Sequence, residues 1–195
     1  MRRPVAALAA PLALGVALLV AARAGHVAPS GARLEDRAAP ALVLPDDRGG
    51  VFDLANERGD VVMVTFGYVN CPDVCPMVLG SLADIDARLG ADRARVRQVF
   101  VTLDPARDTP AALHAFLAQF SPAPLGLAGP PASVAAAAAA WGVTSRPAAG
   151  GAFLDHTALV AVVGPDGRER LRYGVGQLGD PGGVARDIAR LLHEG

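Results

Sequence analysis

The run Val61-Val62-Met63-Val64-Thr65-Phe66 constrains the fold more than any other stretch of this chain. It is β-favouring, uncharged and does not alternate between apolar and polar, so a strand here keeps both faces away from water. Such a strand belongs at the centre of a sheet covered on both sides. The remaining sequence supplies the cover. Pro76–Leu89 places Leu79, Leu82, Ile85 and Leu89 on one helical face. Thr109 followed by Pro110 reads as an N-cap with Pro at the first helical position, opening a helix that reaches about Gln119. Ala132–Trp141, with six successive alanines, has strong helix propensity, and a last helix spans Pro181–His193. Strands are expected at Pro40–Leu44 and Val51–Leu54 around an Asp46–Gly50 turn, and at Val96–Leu103. A second hairpin joins Thr157–Val163 to Arg168–Tyr173 through Pro165-Asp166-Gly167. Arg146–Asp155 reads as irregular. This order predicts an α/β fold, a sheet with helices on both sides.

The start of the chain is of another kind. Behind Arg2 and Arg3, Pro4–Ala22 is nineteen uncharged residues, mostly Ala, Leu and Val, long enough to cross a bilayer as a helix. The leading arginines favour a cytoplasmic N-terminus and export of the rest. The length favours an uncleaved anchor, while Ala22-Arg23-Ala24 resembles a signal-peptidase site, so a cleaved secreted form stays open. No Cys follows the apolar run, so no lipoprotein anchor is expected there. The segment lacks the Ser-rich, Arg-rich character of a mitochondrial transit peptide. We therefore expect a bacterial inner-membrane protein with a single N-terminal span, its domain facing the periplasm. The expected division is an anchor or signal over 1–24, a small, polar linker over 25–39, and one domain over 40–195. The chain has no Lys; three of its eighteen Arg lie in the leader, which leaves fifteen against nineteen acidic residues in the exported part. That balance argues against a nucleic-acid partner, which calls for a basic stripe.

The chain has two cysteines, Cys71 and Cys75, placed just after the central strand and at the mouth of the next helix. Ligands of open α/β sheets gather at the carboxyl ends of strands, and a helix N-terminus favours thiolate. A disulfide closing so short a loop stabilises little, which argues against a purely structural staple. The pair reads as redox-active or metal-binding. Three residues separate the cysteines where a thioredoxin-type reductase has two. Tyr68 and Val64 stand where a peroxiredoxin needs Thr or Ser and Pro. A structural zinc site wants four protein ligands, more than two Cys and one His provide.

Three segments carry a resemblance. Phe66-Gly67-Tyr68-Val69-Asn70-Cys71-Pro72-Asp73-Val74-Cys75-Pro76 is similar to the copper-binding signature of the Sco/SenC family. Val101–Pro110, with Asp104, Arg107 and Asp108, resembles that family's second segment, and Asp155-His156-Thr157 before an apolar strand and Pro165-Asp166-Gly167-Arg168 resembles its third. The blocks occur in order and span Pro40 to the C-terminus. The resemblance implies a thioredoxin-like fold, a central mixed β-sheet flanked by helices with an extra N-terminal β-hairpin. It also implies one copper ion held by Cys71, Cys75 and His156. Soft thiolates select Cu(I) while imidazole also suits Cu(II), so the set can hold either state. His156 lies 85 residues beyond Cys71 and only the fold can join them.

The function implied by the resemblance is that of a copper chaperone delivering its ion to the dinuclear copper site of a cytochrome c oxidase subunit. A copper donor and a thiol reductant protein would be its other partners. The rival is a thiol-disulfide oxidoreductase in which Cys71 and Cys75 are the catalytic redox pair and reduce the acceptor's cysteines. A redox or copper sensor is the third reading. His26, His114 and His193 are expected to be solvated, Met63 and Trp141 to be core, and Met77 to pack on a helix surface. Asp104, Arg107 and Asp108 are expected to form a charge and cap network beneath the site. Two departures from the family pattern stand out: an aromatic residue is missing shortly before Leu125–Gly129, and Ala148–Ala152 is a loop of small residues expected to be mobile.

Overall fold

A computed structural model describes residues 28–194; the leader, its cleavage site and His26 lie outside the described residues. In chain order the strands are β1 (Ala32–Ala38), β2 (Val43–Pro45), β3 (Val51–Asp53), β4 (Val61–Gly67), β5 (Val96–Thr102), β6 (Leu125–Leu127), β7 (Ser145–Pro147), β8 (Leu154–His156), β9 (Leu159–Val163) and β10 (Arg168–Gly174). The helices are α1 (Val74–Asp86), α2 (Pro110–Leu117), α3 (Pro131–Ala140) and α4 (Pro181–Glu194). Among the described residues no helix is long and apolar enough to cross a membrane.

The main sheet has six strands in the order β1-β10-β9-β4-β5-β6. β4, β5 and β6 run parallel, and β9, β10 and β1 are added antiparallel. Every residue of β4 is buried, as a strand covered on both faces requires. Its alternation sorts the core into two layers. Val61 and Met63 pack with Leu79, Leu82 and Ile85 of α1, Leu113 and Leu117 of α2, and Val184 and Ile188 of α4. Val62, Val64 and Phe66 pack on the other face with Val134 and Ala138 of α3, Trp141, and Leu44 and Phe52 of the β2–β3 hairpin. Met63 and Trp141 are core residues, as expected. Thr109 caps α2 by accepting from the Ala112 N–H at 3.2 Å.

Four stretches differ from the sequence reading. Ala32–Ala38, read as part of the linker, forms an edge strand against β10. Its stabilising contacts are polar: Arg37 pairs with the buried Glu169 at 3.2 Å, and the Ser30 N–H donates to the buried Asp187 at 2.6 Å. Those contacts leave no hydrophobic period to read. Arg146–Asp155, read as irregular, contributes to a small hairpin in which Ser145 pairs with His156 and Pro147 with Leu154. Its β7 side is wholly exposed, so apolar alternation is again absent. The three-residue β6 extends the sheet beside β5 and was not expected. The helix after the cysteines starts at Val74 instead of Pro76, which puts Cys75 inside its first turn.

Candidate metal centre

Cys71 and Cys75 meet at the carboxyl end of β4. Cys71 sits in the turn after the strand, its N–H donating to the Tyr68 carbonyl at 3.2 Å. Cys75, in the first turn of α1, directs its N–H at the Cys71 Sγ at 3.4 Å. Both thiols are free and buried. His156 ends β8, and its Nε2 lies 3.6 Å from the Cys75 Sγ. One donor atom from each of the three residues lies within 4.8 Å of the others, and this is the one such cluster among the described residues. The three residues singled out from the sequence are thus brought together by β4, α1 and β8.

The imidazole is oriented for ligation. Nδ1 lies 3.0 Å from the Thr157 carbonyl oxygen. A carbonyl can only accept, so in the neutral ring the proton belongs on Nδ1 and the Nε2 lone pair faces the sulfurs. Burial pushes the Cys75 thiol well above its ordinary range, and its hydrogen bond with Cys71 pushes the same way. The favourable helix N-terminus expected from the sequence is therefore outweighed at Cys75 by desolvation. Without metal Cys75 is a thiol, and a soft cation must displace its proton to bind.

Gly67 makes room for the sulfur. A Cβ there would lie 2.6 Å from the Cys75 Sγ and 2.8 Å from Cζ of Phe100. Beneath the turn, the Asp104–Arg107–Asp108 network forms as expected. Asp108 is almost fully buried and accepts from the Thr102 hydroxyl at 2.6 Å and the Val69 N–H at 3.0 Å, fixing the start of the cysteine turn. Arg107 pairs with Asp104 and donates to the Ala152 carbonyl at 3.0 Å.

The sequence reading placed Tyr68 inside the cysteine signature but gave it no role at the site. Its hydroxyl accepts from the Leu154 N–H at 3.0 Å and donates to the Leu154 carbonyl at 3.2 Å, across 86 residues of chain. Its ring meets that of His156 edge-on, 5.8 Å between centroids. The remaining candidates lie apart from the cluster. His114 and His193 are exposed and paired with Asp47 and Asp92, and Met77 is exposed on α1.

Comparison with known proteins agrees with this arrangement. The SCO1/SenC family model matches residues 31–193. ScoI of Bradyrhizobium japonicum, solved with copper bound, superposes with a TM-score of 0.71 at 31% identity, covering 79% of this chain and 99% of that one. Apo Sco1 from Thermus thermophilus superposes with a TM-score of 0.76 at 31% identity, over 86% of this chain and 99% of its own. A SCO2-like protein of Rickettsia conorii is 37% identical over 86 residues, 44% of this chain and 42% of that protein, so the match spans less than half of that relative. With a mixed α/β sheet flanked by helices and a Cys-Cys-His cluster at the end of its central strand, the chain belongs to the SCO1/SenC family.

Proposed function

We propose that Cys71, Cys75 and His156 hold one copper ion as cargo, and that the protein is an extracytoplasmic copper chaperone delivering it to the dinuclear copper site of cytochrome c oxidase. The observation that carries this reading is the convergence of two free sulfurs and an imidazole lone pair within 4.8 Å. Two soft thiolates with one nitrogen suit Cu(I), and the imidazole extends the set to Cu(II). The donor count falls short of a closed structural zinc site. A copper-loaded ScoI of the same fold at 31% identity adds support. The apolar run Pro4–Ala22 would anchor the domain, Pro40 onward with β1 added, at the periplasmic face of the membrane.

Oxidation of Cys71 and Cys75 to a disulfide removes both sulfur ligands, so copper state and redox state are coupled. The same two free thiols favour a second reading, in which they reduce the acceptor's cysteines. Copper counting separates the two. The soluble domain, fully reduced and loaded anaerobically, should retain one copper after desalting and lose it to a chelator more readily when His156 is replaced by Ala. Copper retention indifferent to His156, with disulfide-reducing activity intact, would leave the reductase reading standing alone.

A further inference from the structure

The hairpin that carries His156 is poorly held by its own packing. Ser145, Arg146 and Pro147 of β7 are exposed, and so is Asp155 beside the histidine. Hydrophobic contact with the core comes through Leu154, which is only partly buried. The hairpin is attached to the cysteine side of the site through two hydrogen bonds made by one group, the hydroxyl of Tyr68. That ring is 1% exposed, so its hydroxyl is fixed by the core. The hydroxyl takes the Leu154 N–H and gives its proton to the Leu154 carbonyl, pairing with one residue of β8 much as a neighbouring strand would. Two hydrogen bonds to the same residue fix direction as well as distance. His156, two residues further on, lies with Nε2 at 3.6 Å from Cys75 and its ring against that of Tyr68. Arg107, holding the Ala152 carbonyl at 3.0 Å, steadies the far end of the same turn.

We propose that Tyr68 is a positioning residue: its hydroxyl latches β8 so that the His156 imidazole reaches the two cysteine sulfurs. The inference rests on the copper reading above and deepens it. Loss of the hydroxyl frees the imidazole and also removes a contact with the Cys71 side chain. Both oxidation states lose part of the nitrogen's hold, and Cu(II), which draws more on nitrogen, should suffer more than Cu(I).

The test is Tyr68→Phe, which keeps the ring and removes both hydrogen bonds, compared with His156→Ala and the double variant. Thermal melting of the reduced proteins establishes that each is folded. Tyr68→Phe should weaken Cu(II) binding about tenfold, the scale of two hydrogen bonds, and shift the Cu(II)–thiolate absorption and electron paramagnetic resonance signals, while Cu(I) affinity falls by less. In the His156→Ala background the same change should have a much smaller effect, because the latch acts through the imidazole and only the hydroxyl's contact with Cys71 is left to lose. An equal loss of Cu(II) affinity with and without His156, or unchanged Cu(II) spectra in Tyr68→Phe, would overturn the proposal. Amide exchange in the copper-free protein tests the latch even if wild type binds no copper, an outcome that would defeat the copper reading alone. Faster exchange at Leu154 with the core unchanged supports the latch, and unchanged exchange at Leu154 refutes it.

Discussion

Gly67→Ala is the sharpest probe of how the site is built. The added methyl would fall 2.6 Å from the Cys75 sulfur and 2.8 and 2.9 Å from two carbons of the Phe100 ring. Carbon contacts settle at about 3.5–4.0 Å, so an overlap of roughly 1 Å must be relieved. Neither neighbour can swing into solvent, since Cys75 is 3% and Phe100 1% exposed. The backbone cannot withdraw either, because Gly67 is in register with Thr102 and its carbonyl accepts from the Leu103 N–H at 2.6 Å. Overpacking of this kind costs about 1–3 kcal/mol. Loss of glycine's freedom in the unfolded chain returns about 0.4–1 kcal/mol. The net is a destabilisation of about 1–2 kcal/mol, a fall in Tm of roughly 2–8 °C for a domain of this size. Moving the sulfur should also spoil its spacing to His156 and weaken copper binding. Melting of the reduced apo protein and a chelator competition read the two effects separately. With Phe100→Leu present, the methyl should cost less stability, while the copper defect should persist because the sulfur contact remains. Unchanged melting and unchanged copper affinity in Gly67→Ala would refute the view that this glycine exists to admit the sulfur.

Other expectations concern protons, the turn and the core. Because burial and the Cys71 contact hold the Cys75 thiol above its usual range, it stays protonated across neutral pH and copper must displace its proton. Apparent affinity should therefore fall about tenfold or more for each unit of pH lowered, with no plateau between about pH 6 and 8, as followed by chelator competition. Asp108→Ala strips the acceptor from the Thr102 hydroxyl and the Val69 N–H, both of which it now satisfies. Denaturant unfolding should show a loss of about 2–4 kcal/mol, with weaker copper binding from the loosened cysteine turn. Trp141→Ala empties a fully buried position in the layer remote from the cysteines and should cost about 3–5 kcal/mol. Its copper affinity, measured well below its melting temperature, should stay near wild type.

The central features of the fold were legible because they are written in local pattern. The unbroken run of β4 demanded two covered faces, and the structure supplies two core layers split by its alternation. The cysteines could be placed by the strand before them and the helix after them. His156 could not be placed that way; only its resemblance to a family segment tied it to the cysteines. What stayed hidden depends on contacts far apart in sequence or on polar attachment. β1 is an edge strand held by backbone pairing and by the buried Glu169 and Asp187, and nothing in Ala32–Ala38 alternates. The β7–β8 hairpin has an exposed face and depends on Tyr68 and Arg107 from other segments. At Cys75 the sequence suggested an activated thiol from its helix, whereas burial, set by the whole core, dominates. Local residue types thus located the chemistry, and tertiary packing set its geometry and its protonation.

X-ray absorption at the copper edge goes straight to the proposed ligand set. On the reduced, copper-loaded domain we expect a single copper whose nearest neighbours are two sulfurs and one imidazole nitrogen. The nitrogen should vanish in His156→Ala, and one sulfur should be lost in Cys71→Ala and in Cys75→Ala. A copper shell without imidazole in wild type, or a shell unchanged by these substitutions, would contradict the assignment of Cys71, Cys75 and His156 as ligands.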